Sequence, residues 1–452
     1  MWTGDKEENN HFPRNKTKTS ENNNICAKDI HTTINEDDHD DHTSARIGYP
    51  SHTDGGYGWV IVFGASLSAF TAFSVMQDYL VEHMFDSSKQ AQFLVSFVGS
   101  ICYFVSEIAT PLVQITLERL GVRITLLIGT TMISAGLLAS GFATTIWHLY
   151  LSQGVCYGLG ISLIYLAIMM VIPQWFSKRC STATAISMSS IGLAGLVIPF
   201  VMNISNSKLG GSWTFWIMGF TYLGANILAC ILVKEKNYQG QPTILNNKIS
   251  AKLSKSVVKD LLKDSNYMIF IGAAFLQVLS RNVPFFFLPS YATFVGLDTS
   301  QGTSLICLAC AASFVGRIVV GMLADRLGNL FVGAIFGTIT GLASLSLWTS
   351  AYSYPMLVAL AIVIGFSFDT YYILMPPTVL QLLGRQKYTS GLSVLMVLTS
   401  PAILGPSLIS AIDNALNCEQ FLPHKIFSGV LPILSSLLLL FLRFRIKKQH
   451  QQ

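Results

Sequence analysis

The chain has 452 residues, 51% of them hydrophobic and 12% charged, with a formal net charge of +5. A soluble chain of that length would divide into two or three domains and carry about a quarter charged residues, so composition excludes it and indicates a membrane protein. Eight scattered cysteines, among them Cys102, Cys156, Cys230, Cys307 and Cys310 inside apolar stretches, exclude a disulfide framework.

Residues 1–53 hold much of the charge, with "ENNN" and "NEDDHDDH", and too little apolar surface to offset the entropy of ordering. They read as a disordered cytosolic tail. The acidic run is better explained as a solvated tail than as a metal site, and no metal, cofactor or nucleic-acid partner is expected. Residues 1–30 contain no apolar core, so the first membrane helix is expected to act as its own insertion signal.

The chain then turns apolar at Asp54-Gly55-Gly56-Tyr57-Gly58-Trp59. Asp54 can cap the helix that starts within the next residues, the three glycines permit close packing or flexing, and Tyr57 and Trp59 suit the headgroup zone. A bilayer core requires about 20 mostly apolar residues per helix. On that scale spans fall near 58–81, 92–116, 122–142, 147–172, 181–203, 212–233, 266–289, 301–323, 330–349, 355–381, 391–412 and 425–445.

Twelve spans place both termini on one side, and the basic residues say which. Arg119, Arg123, Lys178, Arg179, Arg326, Arg385, Lys387, the seven lysines of 234–264 and the C-terminal Arg443, Arg445, Lys447 and Lys448 share one face. Only Lys89, Lys208 and Lys425 lie opposite. Both termini are therefore expected in the cytosol.

The link 234–264 divides the spans into halves, 54–233 and 265–445, followed by a short cytosolic tail, 446–452. Glu118-Arg119-Leu120-Gly121 recurs as Asp325-Arg326-Leu327-Gly328, and the same offset of 207 residues carries Lys178-Arg179 onto Arg385-Gln386 and Pro199 onto Pro406. Two parallel six-helix halves make the major facilitator fold, so the expected class is an all-α membrane protein. In "GMLADRLG" Gly321 lets two helices approach, Asp325 can accept from N–H groups at the next helix start, and Arg326 can pair across the loop. Such a latch would stabilise one closed state of a rocking carrier. A plain turn with charges set by the positive-inside rule is the simpler alternative. Cys307-Leu-Ala-Cys310 matches CxxC only formally and reads as small packing residues.

"DGGYGW" at 54–59 resembles the opening of the first helix in monocarboxylate transporters, and "QWFSKRCSTATAISMSS" at 174–190 is similar to that family's fifth-helix motif. The second match is partial: Cys180 stands where an arginine is usual, and Thr184 and Ser187 replace smaller residues. The resemblance continues through "FLPSYATF" (287–294) and "GRIVVGMLADRLG" (316–328), covering the membrane region but not the tail or the link. It implies a plasma-membrane carrier of small organic anions, with protons as an optional co-substrate and, in some members, a single-span ancillary protein.

Ionisable residues inside membrane helices cost several kcal/mol unless paired or wetted, which makes Asp78, Glu107, Arg281, Arg317 and Asp369 functional candidates. Arg317 matches the eighth-helix arginine that the resemblance implies for the substrate carboxylate, a role its planar donor fork suits. Asp369 matches an acid that partners that arginine in some members; an arriving carboxylate would compete with it. Tyr371 and Tyr372 are candidates to line the path. Where proton-linked members carry a lysine and an acid, this chain has Gln77 and Ser313. Neither runs that charge cycle, so facilitated diffusion is expected, with Ser313 able to hydrogen-bond substrate from one turn before Arg317. For Arg281 three roles stay open: pairing with Glu107, reading a second anionic group, or facing a wet vestibule. No nucleophile, base or metal cluster converges on a loop, which excludes an enzyme. A carrier of aromatic amino acids or other amphipathic substrates, and a non-transporting receptor or sensor of the same fold, are the alternatives.

Overall fold

Apolar runs of this length have one way to satisfy their main-chain polar groups in lipid, which is to close them within each helix. The computed structural model describes residues 54–71, 89–235, 257–416 and 421–451, and every element among them is helical. These residues belong to one compact unit, Pro50–Gln452. Gln77, Asp78, the tail 1–53 and most of the link lie outside the described residues.

In chain order the helices are α1 (Tyr57–Phe70), α2 (Lys89–Ile108), α3 (Thr110–Ser140), α4 (Ile146–Trp175), α5 (Cys180–Leu209), α6 (Gly211–Leu232), α7 (Ser265–Phe294), α8 (Thr299–Leu327), α9 (Asn329–Ser346), α10 (Tyr354–Ser367), α11 (Thr370–Thr399), α12 (Gly405–Leu416) and α13 (Leu422–Gln451). Among the described residues nine helical segments are long and apolar enough to cross a membrane, and Tyr57–Phe70 and Phe97–Ile108 are shorter apolar helices. Non-helical backbone at Gly121 in α3 and Gly384 in α11 falls between neighbouring expected spans. Large side chains such as Leu112, Phe142, Phe220 and Leu437 are exposed, as a surface facing lipid requires. The last helix continues through 446–451, where a separate tail was expected.

Three irregularities bear on function. Residues 150–157 of α4 are π-helical. The expected span 355–381 is broken between Ser367 and Thr370, with Asp369 at φ −106°, ψ 17°. The span 391–412 is broken by a 3-10 turn, Ser400–Leu404, where Pro401 and then Pro406 remove main-chain donors.

On the basic face the two halves are joined. Asp325 accepts from Ser181 N at 3.0 Å and Thr182 N at 2.8 Å, and from the Thr182 hydroxyl. Tyr388 Oη donates to Met169 O at 2.9 Å, and Thr110 Oγ1 donates to Ser393 O at 3.2 Å. Two sequence expectations are corrected here. Asp325 serves the start of α5 in the other half, while the following helix, α9, begins at Gly328 with no side-chain cap. Arg326 is exposed and forms no ion pair among the described residues.

Asp54 also acts away from its own helix. α1 begins at Gly56, whose φ of 61° turns the chain, and no side chain caps it. The Asp54 carboxylate instead accepts from Ser177 N at 2.7 Å and Lys178 N at 3.0 Å, and from Ser177 Oγ at 3.2 Å. Trp59 packs edge-on against Phe176, with ring centroids 5.1 Å apart, and Tyr57 Oη donates to Leu232 O at 2.9 Å. The six-residue opening thus ties α1 to the loop before α5 and to the end of α6.

Candidate functional site

Glycine builds the site's frame. A Cβ on Gly316 would meet the main chain at Phe366, and one on Gly365 would meet the main chain at Ala309, so α8 and α10 lie in close contact. That approach brings Arg317, one residue after Gly316, to the break that frees Asp369.

Arg317 is buried at 4% exposure. Its Nη2 pairs with Asp369 Oδ2, its Nη1 donates to Met188 O in the other half, and its Nε donates to Ser313 Oγ at 3.1 Å. The guanidinium fork is therefore shared among a carboxylate, a main-chain oxygen and a hydroxyl. Ser313 stands one turn earlier on the same face of α8.

The other oxygen of Asp369 is taken by a second cation. Arg281 of α7 reaches Oδ1 at 3.2 Å. Its guanidinium lies between two rings, 4.6 Å from Phe368 and 4.4 Å from Tyr372. Of the three roles the sequence left open for Arg281, an ion pair with Glu107 is not formed: its carboxylate partner is Asp369. Arg281 Nε is buried with no partner among the described residues.

Glu107, 4% exposed at the end of α2, meets hydroxyls and no cation among the described residues. Tyr372 Oη donates to its Oε1, and Thr399 Oγ1, at the edge of the 3-10 turn, lies 3.4 Å from Oε2. Tyr371 points elsewhere, packing against Phe270 and lining a cavity of about 30 Å³, room for about two waters, with Arg281, Gln277 and Thr340. Its hydroxyl has no partner among the described residues.

The structure thus gathers Arg317, Ser313 and Asp369, places Tyr371 beside them, and adds Arg281, Tyr372, Glu107 and Thr399. Thr399 and Phe368 were missed in the sequence. The Ser400-Pro401 pair that breaks the helix after Thr399 was the available signal. Lys178 and Arg179 are exposed at the start of α5, with Arg179 as its N-cap residue. Arg119 is exposed, and Glu118 accepts from Gln114 Nε2 at 2.8 Å. These residues, with Asp54, Gly55, Gly56, Gly58, Trp59, Asp325 and Arg326, belong to the basic face and not to the buried site.

A model of the Major Facilitator Superfamily matches residues 58–406. The chain is 25% identical over 409 residues to "Uncharacterized transporter ESBP6" of Saccharomyces cerevisiae, covering 86% of this chain but only 59% of that protein. It is 26% identical to "Agnestins efflux protein AgnL12" of Paecilomyces divaricatus, covering 86% of this chain and 87% of that one. "Probable transporter MCH2" of Saccharomyces cerevisiae is 24% identical, with 80% and 76% covered. Among solved structures, the fucose:proton symporter FucP of E. coli superposes with a TM-score of 0.65 at 15% identity, over 86% of this chain and 98% of that one. The proton:xylose symporter XylE superposes with a TM-score of 0.65 at 14% identity, over 85% and 95%. At such identities the likeness is one of fold.

Proposed function

The chain belongs to the Major Facilitator Superfamily, and from that membership we propose that it carries a small monocarboxylate or related organic anion across the plasma membrane. Its twelve spans form two six-helix halves, 54–233 and 265–445, that rock about the buried site, with both termini in the cytosol.

The observation that carries this reading is the buried Arg317–Asp369 pair. A guanidinium beyond the reach of bulk water needs a permanent anionic partner, and a partner held at a helix break can be exchanged for another carboxylate of similar geometry. Substrate would take the place of Asp369 on the fork. Arg317 also touches Met188 O in the first half, so loading the fork bears on the contact between halves. Gln77 and Ser313 stand where proton-linked monocarboxylate carriers have charge, and judged on those positions alone transport is facilitated diffusion. A second reading, an aromatic or amphipathic carboxylate, is favoured by the ring cluster of Phe368, Phe285, Tyr371 and Tyr372.

The test is uptake of labelled lactate, pyruvate, 3-hydroxybutyrate and phenylalanine into proteoliposomes of the full chain. Arg317→Ala should lower uptake by on the order of 100-fold, since truncating one partner of a buried charged pair costs about 2–5 kcal/mol. Arg317→Lys should fail as well, because a point charge does not replace a fork. Uptake that survives Arg317→Ala in correctly inserted protein would make the arginine structural and defeat the reading.

A further inference from the structure

We infer that Glu107 is the proton-binding residue of this carrier, taking up one proton for each monocarboxylate that enters the site. The inference rests on the proposed carriage of an organic anion and assigns it a coupling residue away from positions 77 and 313.

The argument begins with charge. Among the described residues Arg281 and Arg317 face Asp369 and Glu107, two cations and two carboxylates, so this set is neutral with every group ionised. An arriving monocarboxylate makes it negative by one. In a medium of low dielectric such an excess is removed most readily by protonating one of the acids.

Asp369 is the wrong acid for this task. It bridges both arginines in the empty site, and when substrate takes its place on Arg317 its Oδ1 keeps Arg281, 3.2 Å away. Among the described residues Glu107 accepts hydrogen bonds only from hydroxyls, and Tyr372, which donates to it, also lies against Arg281. Among the described residues the titratable or charged groups facing it are Tyr371 and Tyr372 of α11, Tyr165 of α4 and Arg281 of α7. On its own helix Tyr103 and Cys102 are one turn away, and the 3-10 turn that packs on α2 contributes none. The part of α4 that packs on α2 adds His148, Tyr150, Cys156 and Tyr157. α3 holds Glu118, Arg119 and Arg123 about three turns or more away, at the basic face.

The hydrogen bonds suit both protonation states. Ionised, Glu107 accepts from Tyr372 Oη on Oε1 and from Thr399 Oγ1 on Oε2. Thr399 can instead donate to Leu395 O, 3.0 Å away, which frees its oxygen to accept from a protonated Oε2. The balance is simple. One proton from water on the loading side joins Oε2, one anion joins Arg317, and both leave on the far side, so no net charge crosses.

The arrangement also explains how the proton could be released. Glu107 belongs to the first half, whereas Tyr372 and Thr399 belong to the second. Rocking the halves apart removes both donors together and changes the affinity of Glu107 for its proton in step with access. Coupling of this kind requires only that the two states hold the proton unequally.

The test is proton uptake on binding. Purified carrier in weakly buffered detergent, with a pH-indicator dye, is mixed with whichever of lactate, pyruvate, 3-hydroxybutyrate and phenylalanine is transported. About one proton should be taken up per bound anion, falling to near zero in Glu107→Gln, and an inward proton gradient should accelerate uptake several-fold in the wild type. Anion uptake with no proton taken up, or equal proton uptake by Glu107→Gln, overturns the inference and leaves the carrier function standing. Absence of any anion uptake defeats the carrier function first. Should Glu107→Gln fail to fold, Tyr372→Phe decides: loss of a donor to the ionised form should move the pH midpoint of proton uptake upward, and an unmoved midpoint overturns the inference.

Discussion

The two copies of the repeated tetrapeptide make their contacts between helices on the basic face by different chemistry. In the second copy, the Asp325 carboxylate sits on the free N–H groups that open α5, with the Thr182 hydroxyl as a third donor. In the first, Glu118 accepts from Gln114, and Gln114 Nε2 in turn donates to Ser390 Oγ of α11 at 2.8 Å. The offset of 207 residues explains the difference, because it pairs Gln114 with Gly321. At Gly321 a Cβ would meet the Ala185 side chain and, at 2.8 Å, Ser181 O. Glycine there lets α8 approach α5 until a short acid reaches main chain. Glutamine at 114 holds α11 at side-chain distance and bridges the gap.

A carboxylate on helix-opening N–H groups forms charged hydrogen bonds, each worth about 1.5–3 kcal/mol, whereas the neutral Gln114–Ser390 bond that reaches α11 is worth about 0.5–1.5 kcal/mol. Opening this face should therefore be limited by the second copy.

The largest effect expected follows from Gly321. Gly321→Leu forces the α5–α8 contact apart, and overpacking of this kind costs about 1–3 kcal/mol or more. Transport and melting temperature should both fall sharply, while Gln114→Leu, the matching change in the first copy, should be mild in both measurements. Equal effects would mean that the two copies are packed alike and would break the comparison.

Next come the acids themselves. Cys180, buried at the start of α5 beneath Asp325, is a natural reporter of opening. Maleimide labelling of Cys180, followed by mass spectrometry, should be faster by on the order of 10-fold or more in Asp325→Asn, matching the loss of about 1.5–3 kcal/mol. In Glu118→Gln it should rise by no more than about threefold. A larger rise in Glu118→Gln would assign the limiting latch to the first copy.

Much of this fold is legible in the sequence. Long apolar runs admit only helix in a bilayer, so the described helices follow the hydropathy, with breaks inside the expected spans 355–381 and 391–412, and a repeat at constant offset gave the expectation of two halves. The buried arginine and acid could be singled out because charge inside such runs is rare. Contacts between helices were not legible, since they depend on crossing distances that no local pattern encodes. Asp54 was expected to cap α1 and holds the loop at Ser177 and Lys178; Asp325 was expected to serve the next helix and serves α5. Arg281 had three open roles until Asp369 was seen between it and Arg317. The breaks at Asp369 and at Ser400–Leu404 had prolines as a cue only in the second case.

The smallest expected effect concerns Asp54, an acid of the basic face that ties two elements of the same half. Burial pushes its carboxyl up, but the N–H groups of Ser177 and Lys178, the Ser177 hydroxyl and the Arg179 main chain outweigh burial and hold it below the ordinary aspartate value. A carboxyl whose folded pKa is depressed contributes stability that is present above its unfolded value, near 3.9, and is lost as pH falls through the folded one. The tie between α1 and the loop before α5 should therefore be intact at neutral pH and weaken only below about pH 4. Because the group is partly exposed, solvent screens much of the effect, and Asp54→Asn should lower the melting temperature at pH 7 by on the order of 1–2 °C. The gap between the wild type and Asp54→Asn should narrow as the pH falls through the folded value, which lies below the ordinary aspartate one. At pH 7 Asp325→Asn should lower the melting temperature more than Asp54→Asn does, as a latch between halves and not within one. If Asp54→Asn proved as damaging as Asp325→Asn at pH 7, the opening hexapeptide would rank with the second copy of the repeat among the contacts that hold this face closed.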